Sequence, residues 1–110
     1  MSQPHPTQRR NERYAIRASI ELVDEQRTRV LRAECSNISI SGCYVETRDP
    51  FLVWTRLKLR IAYLGQVFNA TGAVMHSAVN VGMGIEFQDV AAADRAVLDG
   101  WLAQSANART

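Results

Sequence analysis

The amino-acid sequence predicts an all-β fold: a six-stranded antiparallel β-barrel with one C-terminal helix and a flexible N-terminal arm. Between residues 14 and 87, six short segments alternate apolar with polar side chains at roughly ten-residue spacing. Such alternation is typical of half-buried strands. Six strands of this kind favour a closed barrel, because closure leaves no unpaired strand edge.

The first three strands are predicted around a polar turn. Residues 14–22 alternate strictly, and a turn at Asp24-Glu25-Gln26 leads into a second strand over about residues 27–36. A third strand is expected over about residues 42–47. Cys35 falls on the inward face of the second strand, which indicates a small buried hydrophobic residue.

The last three strands follow the break at Asp49-Pro50, beside which Trp54 is expected either to pack on the barrel end or to form an interface. The fourth strand is predicted over residues 56–63 and the fifth over residues 66–77, joined by a hairpin at Gly65. The sixth strand, residues 81–87, contains Gly82 and Gly84. Because glycines have no side chain to pack, they predict a bulge or a close backbone approach.

A helix is predicted after the last strand, over about residues 90–104, with Asp89 as its N-cap. Gly100 weakens this helix by roughly 1 kcal/mol relative to alanine, so the helix needs tertiary support. The predicted organisation is therefore an arm over residues 1–13, a barrel with its helix over residues 14–104, and a disordered tail over residues 105–110.

The composition excludes several classes of protein. With 110 residues, of which 46% are hydrophobic and 22% charged, the chain is one globular domain. No apolar run approaches the ~18 residues of a membrane span, and the start carries no apolar stretch of a signal peptide. We therefore expect a cytoplasmic protein without membrane insertion. The net charge of +2 is too small for polyanion binding by bulk electrostatics.

No catalytic or metal-binding set stands out in the sequence. His5 and His76 are the two histidines, and neither lies near a cysteine in sequence or near Ser39 or Ser41, the serines considered as nucleophiles. Two cysteines and two histidines at these spacings do not make a zinc set. Gly82-Met83-Gly84 lacks the further residues that a phosphate-binding loop requires. We expect no enzymatic activity, no metal and no cofactor.

Two short motifs carry the functional prediction: Arg9-Arg10-Asn11-Glu12-Arg13 and Asn37-Ile38-Ser39-Ile40-Ser41-Gly42. Arginine binds phosphates bidentately and stacks on flat rings, and a polar turn can hydrogen-bond a base edge. Each motif alone is typical of a solvated tail or a simple turn. Together they predict a site for a nucleotide that carries phosphates and purines.

These motifs resemble those of the PilZ domain family, which has Arg-x-x-x-Arg before the first strand and Asp/Asn-x-Ser-x-x-Gly after the second. Residues 42–47 are similar to the third strand of that family, and residues 81–87 are similar to its late Gly-x-Gly-Ile-x-Phe strand. The resemblance covers residues 8–103 and implies the same barrel with a C-terminal helix. It also implies a receptor for the bacterial second messenger cyclic di-GMP.

The resemblance assigns roles to the arginines. Arg9 and Arg13 are expected to contact phosphates and guanine faces, with Arg10 contributing between them. Because these arginines lie on the predicted arm, we expect the ligand to fold residues 8–14 across the barrel mouth. The side chain of Gln8 lies where its size bears on whether one ligand or a stacked pair fits.

The resemblance also assigns the polar turn. Asn37 and Ser39 are expected to hydrogen-bond a guanine edge, and Gly42 to keep the turn tight. Asn37 stands where many family members have aspartate, so that an amide replaces a carboxylate acceptor.

Two other functions remain open. One is a degenerate PilZ domain that serves only as a protein adaptor. The other is a small-barrel nucleic-acid binder, which the 7% aromatic content and slight net charge disfavour. In the leading interpretation an unidentified effector protein reads the ligand-bound state, with motility, exopolysaccharide synthesis, biofilm formation or virulence as compatible outputs.

Overall fold

The computed structural model describes residues 12–108. Six antiparallel strands form a closed barrel in the order β1-β2-β3-β6-β5-β4, and one helix follows, which confirms the predicted fold. The strands are β1 Ala18–Asp24, β2 Val30–Ile38, β3 Gly42–Glu46, β4 Arg56–Tyr63, β5 Gln66–Ala78 and β6 Gly82–Asp89, and the helix is α1 Ala92–Ala108. Residues 1–11, which hold most of the predicted arm, lie outside the described part of the chain.

The core follows from the period-2 alternation of the strands. In β4, Leu57, Leu59 and Ile61 are buried while the residues between them are exposed. Cys35 is fully buried as predicted, and so is Cys43. Burial raises the pKa of the Cys35 thiol to about 11 and that of Cys43 further. Both side chains therefore behave as small hydrophobic groups rather than as nucleophiles.

β1 begins at Ala18 and not at the predicted Tyr14. The Ile16 amide donates to the Tyr14 carbonyl at 2.8 Å, a tight turn that interrupts the ladder. Tyr14 instead forms an isolated bridge with Ile38, in which each backbone amide donates to the other carbonyl, at 2.9 and 3.0 Å. Residues from Tyr14 onward are thus fixed on the barrel, and Ile16 is buried in its core.

β2 begins at Val30, three residues later than predicted. The Asp24 carboxylate accepts hydrogen bonds from the Thr28 amide at 2.8 Å, the Arg29 amide at 3.0 Å and the Thr28 hydroxyl. These bonds hold residues 27–29 in a turn, because an aspartate side chain readily caps backbone amides two to five residues on.

The start of the helix also differs from the prediction. Asp89 is the last residue of β6 and accepts the Thr71 hydroxyl at 3.3 Å, so its predicted role as N-cap is wrong. The Ala91 carbonyl accepts the first helical bond, from the Arg95 amide. Cross-strand pairing of Asp89 with Thr71 therefore outweighed its capping propensity.

The helix ends at Ala108, beyond the predicted Gln104. Residues 105–108 are helical rather than part of a disordered tail, since this stretch contains neither glycine nor proline to stop the helix.

α1 closes one end of the barrel. Leu98 and Trp101 are buried, the Trp101 ring nitrogen donates to the Gln66 side chain at 3.2 Å, and the Tyr63 ring meets the indole edge-on at 5.4 Å. The Arg95 guanidinium donates to the Ile40 carbonyl at 3.4 Å. The helix therefore lies beside the turn that joins β2 to β3.

The opposite end of the barrel carries Trp54, which is 69% exposed. The expectation that it packs on the barrel is thus wrong. Its amide donates to the Val74 carbonyl at 2.7 Å, and its φ of 74° places it in the left-handed region.

Candidate functional site

The polar turn between β2 and β3 is closed by Ser39. The Ser39 hydroxyl oxygen accepts the amides of Ser41 and Gly42, each at 3.2 Å, and the Ser39 amide donates to the Gly42 carbonyl at 2.8 Å. The side chain is 1% exposed. In this structure Ser39 therefore holds the shape of the turn.

Gly42 lies directly against β6. A Cβ at this position would stand 2.1 Å from the Ile85 carbonyl oxygen, closer than any side chain can approach. The Phe87 amide donates to the Ser41 carbonyl at 2.8 Å and continues the contact. Only glycine lets the turn and β6 approach this closely.

Arg13 joins the two sequence motifs. Its guanidinium donates to the side-chain oxygen of Asn37 at 3.0 Å. The bridge between Tyr14 and Ile38 holds the backbone immediately after Arg13 beside the turn. Of the three predicted arginines, the structure therefore places Arg13 at the turn, whereas Arg9 and Arg10 fall outside the described residues.

Asn37 begins a row of residues that crosses the outer surface of four strands. The register pairs Asn37 with Tyr44, Tyr44 with Gly84, and Gly84 with His76. Paired residues share a face of the sheet, and neighbouring strands lie ~4.8 Å apart, so the row spans about 14 Å. We call these four residues the transverse row.

The glycines of β6 lie beneath two rings of this surface. A Cβ on Gly84 would stand 2.4 Å from the His76 ring nitrogen Nε2, and one on Gly82 would stand 2.8 Å from the Tyr44 hydroxyl. The two ring centroids lie 6.2 Å apart with a 31° tilt. The predicted close backbone approach is thus confirmed at Gly82, where a Cβ would stand 2.3 Å from the Val45 carbonyl oxygen, whereas the neighbour of Gly84 is the His76 side chain.

A cavity of about 120 Å³ opens beside the transverse row, lined by Arg13, Ser41, Met75, His76, Glu86 and the backbone of Gly84. Glu86 points outward from β6 and is exposed. Among the described residues its carboxylate has no hydrogen bond or ion pair. The cavity therefore combines a cation, a free carboxylate and an aromatic ring.

A larger concavity of about 380 Å³ lies on another part of the barrel, over β1, β2 and β4. Its glutamate, Glu21, is paired with Arg32 at 3.0 Å. The predicted residues Arg13 and Asn37 are not among its lining residues. The larger of these two cavities is therefore not the one beside the predicted residues.

Sequence reasoning did not find Tyr44, His76 or Glu86 as site residues. The Gly-x-Gly pattern of β6 was the signal that a neighbour approaches closely, but it does not say which side chain does so. That information resides in the pairing of β6 with β3 and β5.

Within residues 12–108, no three histidine, cysteine, aspartate or glutamate side chains group as metal ligands would. No helix in that same range is both long and apolar enough to cross a bilayer.

The fold is that of a small closed antiparallel β-barrel domain with Arg13 and Asn37 joined on its rim. A family model described as PilZ domain matches residues 7–104, and the chain belongs to the PilZ domain family. Members of this family are receptors and adaptors that bind cyclic di-GMP and partner proteins, and they are not enzymes. A search of curated proteins gives no significant match.

Two solved structures share the fold. The PilZ domain of CeSA from a cellulose-synthesizing bacterium is 14% identical, with a TM-score of 0.63 over 76% of this chain and 87% of that one. The Bacillus subtilis inhibitor of motility, MotI/DgrA, is 20% identical, with a TM-score of 0.71. That match covers 99% of this chain but 55% of MotI/DgrA, so the present chain corresponds to about half of that protein.

Proposed function

We propose that this protein is a bacterial cyclic di-GMP receptor that signals through a partner protein. The observation that carries the proposal is the contact between Arg13 and Asn37, at 3.0 Å, which joins the two motifs at one point on the barrel rim. An isolated basic tail or an isolated turn would not require this meeting.

The chemistry of the ligand matches the residues of the two motifs. Cyclic di-GMP carries two phosphates, which the guanidinium groups of Arg9, Arg10 and Arg13 can neutralise with bidentate hydrogen bonds. Its guanines can stack on the same guanidinium planes. Asn37 offers an amide to a guanine edge, and we assign Ser39 the role of fixing the turn because its hydroxyl oxygen already accepts two amides.

We propose further that the ligand draws the arm onto the barrel. Tyr14 is already bonded to Ile38, so we assign the ordering that the ligand causes to the predicted arm before it, from about Gln8. Its ordering lowers the net affinity and creates a new surface for a partner. On this proposal, hydrogen exchange slows at residues 8–12 when ligand is added, while the Tyr14 amide is protected in both states.

The partner is proposed to be an effector protein in the cytoplasm. MotI/DgrA is described as an inhibitor of motility, and the CeSA domain comes from a cellulose-synthesizing bacterium. Control of motility or of exopolysaccharide and biofilm formation is therefore the output that we propose for this chain.

Titration calorimetry with cyclic di-GMP tests the receptor function. We expect Arg13→Ala and Arg9→Ala to weaken binding by about a hundredfold or more, because each leaves a phosphate without its charge partner. Ser39→Ala should weaken binding less. Arg60→Ala is the matched control: Arg60 is exposed, lies on β4 and has no ion pair within residues 12–108.

Two results would contradict the proposal. Absence of binding by the folded wild-type protein would leave the adaptor function in its place. Equal losses in Arg13→Ala and Arg60→Ala would mean that only general charge attracts the ligand.

A further inference from the structure

The cavity beside Arg13 contains a carboxylate that the proposed contacts do not use, that of Glu86. This side chain lies on the outer face of β6, two residues beyond Gly84, and thus ~7 Å along the strand from the transverse row. The register places Glu86 opposite Gly42, at the base of the polar turn. A negative charge therefore stands within the site for a dianionic ligand.

A carboxylate at this place cannot bind the phosphates, because like charges repel strongly when water is partly excluded. It can only accept hydrogen bonds, through two oxygens. A guanine presents adjacent N–H donors on its Watson–Crick edge, whereas an adenine presents one donor beside one acceptor. The carboxylate thus matches a guanine edge and mismatches an adenine edge.

His76 supplies the second half of such a base site. Its ring lies over Gly84, in contact with backbone that carries no side chain, and it lines the same cavity as Glu86 and Arg13. Single bases are commonly held by stacking on aromatic or histidine rings while their edges are hydrogen-bonded.

We propose that Glu86 and His76 form a guanine-specificity subsite, in which His76 stacks on the base and Glu86 accepts hydrogen bonds from its Watson–Crick edge. The subsite rests on the proposed receptor function. It also fits the amide at position 37: the Asn37 oxygen is held by Arg13, its NH2 group remains to donate to the base, and Glu86 supplies the acceptor for the Watson–Crick N–H groups.

The subsite determines the orientation of the bound ligand on the barrel. Arg13 attracts the phosphates at the rim, and Glu86 repels them from the cavity. The guanine is thus the part that enters beside His76. A ligand with the same phosphates but a different purine keeps the first interaction and loses the second.

The test compares cyclic di-GMP with cyclic di-AMP by calorimetry on the full chain. We expect Glu86→Gln to weaken cyclic di-GMP binding about tenfold or more, since good paired base contacts discriminate at this level. It should improve the relative binding of cyclic di-AMP, because a glutamine amide can donate and accept as an adenine edge requires. Glu86→Asp, which keeps the carboxylate, should retain the guanine preference.

His76→Ala should weaken both dinucleotides by about tenfold, and His76→Phe should restore binding because stacking is retained. Glu21→Gln is the matched control, a glutamate on the outer face of β1 whose partner is Arg32. Both Glu86 and His76 are exposed, so thermal melts of all variants should coincide.

The failures are distinguishable. If wild-type protein binds cyclic di-GMP and the ratio of the two affinities is unchanged in Glu86→Gln, the subsite is wrong and the receptor function stands. If wild-type protein binds neither dinucleotide, the receptor function itself is wrong and the subsite falls with it.

Discussion

Strands β3, β5 and β6 contain four glycines, at positions 42, 72, 82 and 84, whereas β1, β2 and β4 contain none. On the half formed by β3, β5 and β6, which we call the glycine half, glycines let neighbouring backbone and rings approach the strands directly. On the half formed by β1, β2 and β4, long side chains cover the outer face. The four glycines are themselves buried, and the rings of Tyr44 and His76 cover Gly82 and Gly84. The glycine half thus presents ring surface on its outer face, and the other half presents the ends of charged side chains.

Individual carboxylates differ between the halves, although Glu46 on β3 is itself paired with Arg17 at 3.5 Å. On the glycine-free half, Glu21 is paired with Arg32 at 3.0 Å, and Glu34 with Arg17 at 3.1 Å. On the glycine half, Glu86 has no such partner among the described residues. Exposed ion pairs contribute little to stability, but a ligand must displace them before it can use either charge. The charges of Glu21 and Arg32 are therefore less available to a ligand than the carboxylate of Glu86.

The largest effect that follows from this comparison is a loss of stability on substitution of Gly42. Gly42→Ala places a methyl group 2.1 Å from the Ile85 carbonyl oxygen, and two strands must separate to admit it. We expect the free energy of unfolding to fall by about 3 kcal/mol, as overpacking against rigid neighbours does. Urea unfolding followed by tryptophan fluorescence measures the change.

Gly100→Ala is the control for that substitution. No atom lies within 4 Å of a Cβ built at Gly100, and the residue is in the middle of α1. The same chemical change should there raise the free energy of unfolding by about 0.5–1 kcal/mol, because alanine favours the helix. Equal effects at both positions would mean that close approach is not the reason for glycine at position 42.

A smaller effect is expected at Gly84, where the obstacle is a side chain and not a backbone. Gly84→Ala should push the exposed His76 ring aside, since Nε2 would be 2.4 Å from the new methyl group. We expect binding of cyclic di-GMP to weaken about tenfold, the level of one lost stacking contact, with little change in melting temperature. A large drop in melting temperature with unchanged affinity would show that Gly84 serves only the packing of the barrel.

The six strands along the chain and the two motifs could be predicted because they depend on local patterns. Alternation identified all six strands, and the spacing of Arg13 and Asn37 indicated one site. The outward direction of the His76 side chain could not be predicted in this way. Counting by twos from the buried Phe68 and Val74 puts position 76 inside, but the register shifts between Val74 and His76 and turns the ring outward. A slip of one residue reverses the face of a strand, and it is set by the partner strand.

The same reason explains the errors at element ends. Asp89 and Tyr14 each have local patterns that favoured the predicted role. Their observed partners, Thr71 and Ile38, are distant in sequence, and the hydrogen bonds with them decided the outcome. Propensity determines an end only where no distant partner competes for its polar groups.

The smallest predicted effect compares two carboxylates, Asp24 at the end of β1 and Glu86 on β6. The Thr28 hydroxyl, with the Thr28 and Arg29 amides, lowers the pKa of Asp24 below its ordinary 3.8 despite partial burial. A lowered pKa in the folded state stabilises the fold above the unfolded-state pKa, and this stabilisation is lost as pH falls through the lower, folded-state value.

Asp24→Asn should therefore reduce the melting temperature near neutral pH, and the difference from wild type should shrink at pH values well below 3.8. Glu86→Gln should leave the melting temperature unchanged at both pH values, since no described residue holds its carboxylate. A constant difference for Asp24→Asn across this range would mean that its charge is not what stabilises the turn. A stability loss in Glu86→Gln would mean that Glu86 has a structural partner, and it would remove the contrast between the bonded carboxylate of Asp24 and that of Glu86.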